Sequence, residues 1–249
     1  MNPNSLPASL VRVRVVLVRT SHPGNIGSAA RAMKTMGLAS LVLVAPKRFP
    51  DPEATALASG ADDILANARI VATLDAAIAG CVAAYALSAR PREWSPEESY
   101  VREAAGEVLK RASGGSVALV FGNEASGLSN EELLACQAHV RIPADAADSS
   151  LNLAQAVQIV GYELRMAALA GGPLVVPESP LATVGDLEGL YAELEKASII
   201  SGFLDPAQPG RLRARWRRLF SRARLEREEV NILRGLLRAL LTPWNKSGQ

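Results

Sequence analysis

The sequence predicts an α/β fold with a mostly parallel sheet. Three observations carry this: short apolar runs recur along the first two thirds of the chain, helix-period segments separate them, and glycines or capping residues mark the joints. Residues 11–18 (VRVRVVLV) are rich in β-branched side chains and run into a turn-like segment, so they read as a strand. Residues 26–36 follow as a helix that stops at Gly37, a C-cap. Residues 41–44, 82–87 and 117–121 are apolar runs of the kind that fill a parallel sheet covered on both faces, and 70–71 and 139–142 are weaker strands of the same type. Between them, 74–79 is a helix ending at Gly80, and 97–112 is one ending in Ser113-Gly114-Gly115. Ser129-Asn130-Glu131-Glu132 is a capping box ahead of Leu133 and Leu134. Residues 151–169 make a long helix, with Ser149 or Ser150 as N-cap, until Gly171-Gly172-Pro173 breaks it.

Beyond that break the pattern is all helical. Thr183 caps a helix over 183–200, a Gly/Pro-containing loop fills 202–210, and two amphipathic helices follow. In the first, Leu212, Trp216, Leu219 and Ala223 recur on one face and Arg211, Arg215, Arg218 and Arg222 on another; in the second, over 226–241, Val230, Leu233, Leu237 and Leu240/Leu241 form the buried stripe. The chain thus divides into an α/β domain over 1–171 and a small all-α domain over 172–249.

Composition narrows the class. With 249 residues, 49% of them hydrophobic and 21% charged, the chain has enough apolar material for a substantial core and too much for disorder. Mean hydropathy is +0.11, and no run approaches the roughly 18 to 20 apolar residues that a membrane helix requires. Residues 1–10 lack the basic-then-apolar plan of a signal peptide, which places the protein in the cytosol. Two cysteines and two histidines are too few for a disulfide framework or a cysteine-rich zinc site, so metal chemistry is not expected. The charge is uneven: residues 1–170 hold 15 Lys+Arg against 16 Asp+Glu, while 171–249 hold 12 against 9. Arg211, Arg213, Arg215, Arg217, Arg218, Arg222 and Arg224 fall in a stretch without an acid, which suggests a polyanionic partner.

Three loops follow strands, at the edge where open α/β sheets place their ligands. The first, Thr20-Ser21-His22-Pro23-Gly24-Asn25-Ile26-Gly27, enters the helix that bears Arg31 and Lys34 and presents backbone N–H groups suited to a phosphate or carboxylate. It lacks the GxGxxG and GxxxxGK[ST] fingerprints, and taken alone it reads more readily as an ordinary strand-to-helix turn with Arg31 solvated on the helix face. The second, running from Phe121 through Ser129, has Gly122 and Gly127 to let backbone approach a ligand, and read blandly is a turn ending in a capping box. The third runs from Ile142 to Leu153. Its Asn152, an amide in the first turn of an otherwise apolar helix, wants a specific partner.

Together the order PGNIG…R, VFGNEASGLS, SSLNLAQAVQIVGYE resembles motifs 1, 2 and 3 of the SpoU branch of the SPOUT superfamily of RNA 2′-O-methyltransferases. Within that branch it is most similar to bacterial enzymes that methylate the ribose of cytidine or uridine at tRNA position 32. The segments ARAMKTMGL, ASGADDIL, Ser88-Ala89-Arg90 and the arginine-rich tail extend the likeness over nearly the whole chain.

The resemblance implies a SPOUT-type fold with a deep C-terminal trefoil knot, a rare exception to unknotted topology. It implies S-adenosylmethionine as methyl donor, leaving as S-adenosylhomocysteine, held by Leu87, Ser88 and Ala89, by Gly122, Glu124 and Gly127, and by Ile142, Ser149, Ser150 and Leu151. Arg31 matches the catalytic arginine of motif 1, with Asn25 turning the loop that presents it and Ser150 and Asn152 completing the site. A guanidinium is too basic to act as a base, so Arg31 is assigned to orienting the 2′-hydroxyl and stabilising the developing alkoxide. Glu124 is read as fixing the motif 2 loop, His22 as a substrate-loop residue, and Arg19 stands where relatives vary. Arg90 and Arg92, with the tail's Arg211, Arg215, Arg218 and Arg222, are expected RNA contacts. The family implies a homodimer in which Arg31 serves the cofactor of the opposite subunit. Competing readings are a relative acting on another tRNA or rRNA site, a non-catalytic RNA-binding protein of the same fold, and a small-molecule nucleotide enzyme.

Overall fold

The computed structural model describes residues 8–88, 97–145, 150–170 and 179–241. Seven strands form one sheet: β1 Val13–Val18, β2 Ser40–Val44, β3 Arg69–Val71, β4 Ala83–Leu87, β5 Glu97–Tyr100, β6 Val117–Phe121 and β7 Ala138–Arg141. Their order is β3-β2-β1-β6-β4-β7-β5, and every pairing is parallel. The helices of this part are α1 Ala8–Val11, α2 Pro23–Met36, α3 Pro52–Ala58, α4 Asp62–Ala66, α5 Leu74–Ile78, α6 Val101–Gly114, α7 Asn130–Leu134 and α8 Leu153–Ala170. Alternate strand residues serve opposite faces. Val13, Val15 and Leu17 join a core with α2, α6 and α8, while Val16 and Val18 join a second core with α5 and α7. Both faces are covered, which is why the central strands β4 and β6 are apolar at every position and β1 at every position but Arg14.

The expected strands are found to within two residues, and the Gly37 C-cap has φ 83° with its N–H on Lys34 O. Four differences have physical reasons. Residues 97–100, expected as the start of a helix, are the edge strand β5, whose ladder is made with β7 on one side only; α6 starts at Val101. An edge strand with one partner tolerates polar residues such as these, and they mask its signature. Residues 11–12, expected in the first strand, lie outside it, because α1 ends at Val11 and β1 starts at Val13. The short helices α3 and α4 were not foreseen; α3 starts at Pro52 with Asp51 accepting the Glu53 N–H at 3.0 Å. Finally, α8 starts at Leu153, and its cap is Asn152 rather than Ser149 or Ser150. Ser149 and the Gly171-Gly172-Pro173 break lie outside the described residues.

Three helices form the extension: α9 Val184–Ile200, α10 Leu212–Ala223 and α11 Arg227–Leu241. Thr183 caps α9 through a box with Asp186. Leu187, Leu190, Tyr191 and Val230 form a separate small core, against which Trp216 and Phe220 pack. The ion pairs Arg227–Asp186 and Arg234–Glu193 show α9 and α11 running side by side in the same direction. The stripe expected on α11 is only partly buried: Leu240 is 72% exposed. On α10, Leu219 is 51% exposed and Ala223 is exposed too, since only the Trp216 and Phe220 flank meets α9. The extension is rooted beside the N-terminal end of β4, where Val184 N–H donates to Cys81 O at 2.8 Å and Gly185 N–H to Ala79 O at 3.0 Å. Arg224 adds an ion pair to Glu107 of α6 at 3.0 Å. Among the described residues no helix is long and apolar enough to cross a membrane.

Candidate active site

The C-terminal ends of β1, β6, β4 and β7 lie side by side, because these strands are neighbours and all run the same way. The loops that follow them therefore meet at one edge of the sheet, and a chain of polar contacts ties them together. Glu124, in the loop after β6, is its hub. Its Oε2 accepts the Ser21 N–H at 3.0 Å, and its Oε1 accepts Asn25 Nδ2 at 2.9 Å and the His22 N–H at 3.4 Å. Burial alone would push this carboxyl up. The donors from Asn25, Ser21 and His22 outweigh that effect and hold it below the usual carboxylate range. Asn25 Oδ1 in turn accepts Asn152 Nδ2 at 3.0 Å, and Asn152 Oδ1 accepts the Ala154 and Gln155 N–H groups at 2.9 and 3.4 Å. The ends of this chain, a carboxylate that only accepts and backbone N–H groups that only donate, determine how both amides are turned.

Asn152 thus does two things at once: it caps α8 and reaches across to the first loop. Glu124 ties the loop after β6 to the first loop. The loop after β6 is also held by Asn123, whose Nδ2 donates to Arg19 O at 2.7 Å and to Ser21 Oγ at 2.9 Å, and whose Oδ1 accepts the Ala125 N–H at 2.9 Å. Within that loop the two glycines differ. A Cβ on Gly122 would lie 2.2 Å from the Gly127 carbonyl carbon, so the close approach is of the loop to itself, whereas Gly127 has φ +67° and open space where a Cβ would sit. Arg19 ends β1 with φ 49° and makes a two-pronged ion pair with Glu132, the capping-box residue of α7. Burial raises the Glu132 carboxyl, but Arg19 and Ser129 together bring it below its usual range. Asn123 and Glu132 were missed as site residues in the sequence; the signals available were an asparagine in a strand-end turn and an acid already assigned to a cap.

The structure brings Asn25, Glu124 and Asn152 into one network and sets Leu87 at the neighbouring strand end, with the Ser88 N–H on Val140 O at 3.3 Å. Ile142 and Leu151 are half-buried and Ser150 is exposed. Arg31 is not joined to the network. It lies on the exposed side of α2 and makes no hydrogen bond or ion pair among the described residues. Ala89, Ser149, Arg90 and Arg92 lie outside the described residues. The seven tail arginines divide. Arg213 pairs with Glu195 at 3.6 Å, Arg217 pairs with Glu188 and stacks 5.1 Å from the Tyr191 ring centroid, and Arg224 pairs with Glu107. Arg215, Arg218 and Arg222 are exposed and make no ion pair among the described residues, and Arg211 is exposed beside them.

The fold and the joined strand-end loops define a methyltransferase of one class: the chain belongs to the SpoU rRNA methylase family, whose model matches residues 12–162. The model of the C-terminal domain of the tRNA methyltransferase TrmJ matches residues 185–249. The chain is 51% identical over 239 residues to the tRNA (cytidine/uridine/adenosine-2′-O-)-methyltransferase TrmJ of Pseudomonas aeruginosa (strain UCBPP-PA14), covering 92% of this chain and 93% of that one. It is similar to the crystal structure of TrmJ from Z. mobilis ZM4, with TM-score 0.80, 32% identity and coverage of 96% of this chain and 100% of that one. It is also similar, with TM-score 0.50 and 25% identity over 66% of this chain and 61% of that one, to an AdoMet-bound rRNA methyltransferase from Sinorhizobium meliloti. The residues present fit that donor: apolar Leu87, Ile142 and Leu151, open room beside Gly127, and an acid whose two oxygens are already engaged by the first loop.

Proposed function

We propose that this protein transfers a methyl group from S-adenosylmethionine to the ribose 2′-oxygen of cytidine or uridine at position 32 of tRNA. The observation that carries this is the Glu124–Asn25–Asn152 chain, which locks the three loops of the family motifs into one preformed site. The donor supplies an electrophilic methyl carbon on a sulfonium. Leu87, Ser88 and Ala89, the turn of Gly122, Glu124 and Gly127, and Ile142 with Ser149, Ser150 and Leu151 form its wall. When bound, the donor would give that methyl carbon to the 2′-oxygen and leave as S-adenosylhomocysteine, with the hydroxyl proton passing to water. Arg31 orients the hydroxyl and stabilises its developing charge, and the preformed loops supply the alignment on which such a displacement depends. Adenosine, named for the Pseudomonas relative, is the natural further substrate to include in the assay.

The working unit is a homodimer. Arg31 has no partner among the described residues, and the neighbouring helix α8 carries exposed Tyr162, Met166 and Leu169 at helical spacing, a face that a second copy would cover. Arg31 then serves the donor held by the opposite subunit. The interleaved strand order, with β6 inserted between β1 and β4 and β7 between β4 and β5, supports the trefoil knot. The domain division at 171/172 is supported by the separate core of the extension. Its arginines Arg211, Arg215, Arg218 and Arg222, with Arg90 and Arg92, hold the tRNA backbone in the cytosol where tRNA is modified. The test is to incubate the protein with labelled S-adenosylmethionine and bulk tRNA and map the modified nucleotide. Label confined to a 2′-O-methyl group at position 32 supports the proposal; no incorporation, with Arg31→Ala equal to wild type, overturns it.

A further inference from the structure

Of the two histidines, one is fully buried and takes no part in the network above. His139 sits in β7, level with Ala86 of β4 on one side and Glu98 of β5 on the other. Its Nε2 lies 3.2 Å from Ser88 O and its Nδ1 3.5 Å from Glu98 Oε2, while Glu98 Oε1 accepts Arg141 Nη1 at 2.9 Å. A carbonyl has no proton to give, so Nε2 carries the hydrogen and donates it. Glu98 Oε2 faces the other ring nitrogen, Nδ1, and Glu98 is itself tied down by Arg141.

Ser88 directly follows β4, and Glu98 is the second residue of β5, the next strand in the chain. One ring thus bonds the end of one strand and the start of the next. We propose that His139 is a positioning residue for the methyl-donor site: its Nε2–H fixes the Ser88 carbonyl in the donor wall, and Glu98, facing Nδ1, holds the ring in place. This rests on the reading of Leu87 and Ser88 as part of that wall. A histidine that merely filled the core would affect stability alone. A positioning one affects the donor's binding and leaves the tRNA terms in place.

The experiment uses the full-length protein and reads S-adenosylmethionine affinity by calorimetry, with steady-state kinetics beside it. His139→Leu is expected to raise the donor's Kd and KM about 10-fold, with the KM for tRNA and kcat at saturating donor within about 2-fold. His139→Gln, whose amide nitrogen reaches the Nε2 position, is expected to restore the donor's Kd to within about 3-fold of wild type. Glu98→Gln, at a solvent-accessible position, raises that Kd about 3-fold with Tm unchanged. Equal donor affinity in wild type and Glu98→Gln overturns the proposal whether or not His139→Leu folds. Parallel losses of kcat and donor affinity in His139→Leu that the glutamine variant does not relieve overturn it too. Wild-type protein that binds no donor overturns the underlying reading of the site instead, and shows this before any variant is compared.

Discussion

The strand-end site and the helical extension treat polar groups in opposite ways. At the site, Glu124, Asn25 and Asn152 are consumed by one another and by backbone N–H groups. In the extension, Arg215, Arg218 and Arg222 are exposed and make no ion pair among the described residues, although Arg213 and Arg217 on the same helix and Arg224 at its C-cap are paired. Alignment for a displacement reaction needs groups whose positions are settled before substrate arrives. Capture of a polyanion needs charge that is still unspent, and long flexible side chains suffice for it. The paired arginines belong to the first kind: they hold α10 onto α9 and onto the body.

This contrast can be broken most sharply at Arg31. Arg31→Ala is expected to lower kcat about 100-fold or more while tRNA and donor affinities, measured by titration, stay within about 3-fold. A large loss of tRNA affinity would instead move Arg31 to the capture side. Next comes Glu124→Gln, expected to lower activity about 10-fold or more, because the new amide group faces donors where the carboxylate accepted them. The native carboxyl is depressed, so its contribution is present in full above the unfolded carboxylate pKa of about 4.3 and is lost as pH falls through the lower native value. Donor affinity that is flat from neutral pH down to about 5 in wild type is the matching result; a decline already under way near pH 6 would contradict it.

Smaller effects sharpen the division inside the extension. Replacing Arg215, Arg218 and Arg222 together by alanine is expected to weaken tRNA binding about 10-fold near physiological salt and flatten its log–log salt dependence by about 2 to 3. An unchanged salt slope would remove them from the RNA surface. Arg217→Ala is the counterpart. It breaks a partly buried ion pair and a stacking contact with Tyr191, so Tm should fall by a few degrees, with the salt slope unaltered.

How much of this the sequence shows depends on how strongly each residue's role is local. The central strands are legible because a strand buried on both faces is nearly all apolar: β4 and β6 are so throughout, and β1 and β2 are so apart from Arg14 and Ser40. The caps at Ser129 and Thr183 are legible because a capping box acts within four residues. β5 is not, since the polar residues of 97–100 are explained only by its place at the sheet's edge beside β7. Asn152 announces that it wants a partner, yet nothing local says that the partner is Asn25, 127 residues away. The same limit applies to Arg19, whose pairing with Glu132 depends on two strand ends meeting, and to the exposed flank of α11, where the helical period is right but α9 covers only part of it.

The rooting of the extension beside Cys81 has a geometric consequence. Cys81 precedes β4 and Ser88 follows it, so at about 3.3 Å per residue the anchor and the reaction edge of one protomer lie roughly 20 Å apart. A body and arm fixed at that separation act as a caliper. An RNA of two or three nucleotides would span the reaction edge but not the anchor as well, so a short oligonucleotide is expected to be a much poorer substrate than whole tRNA whatever its bases.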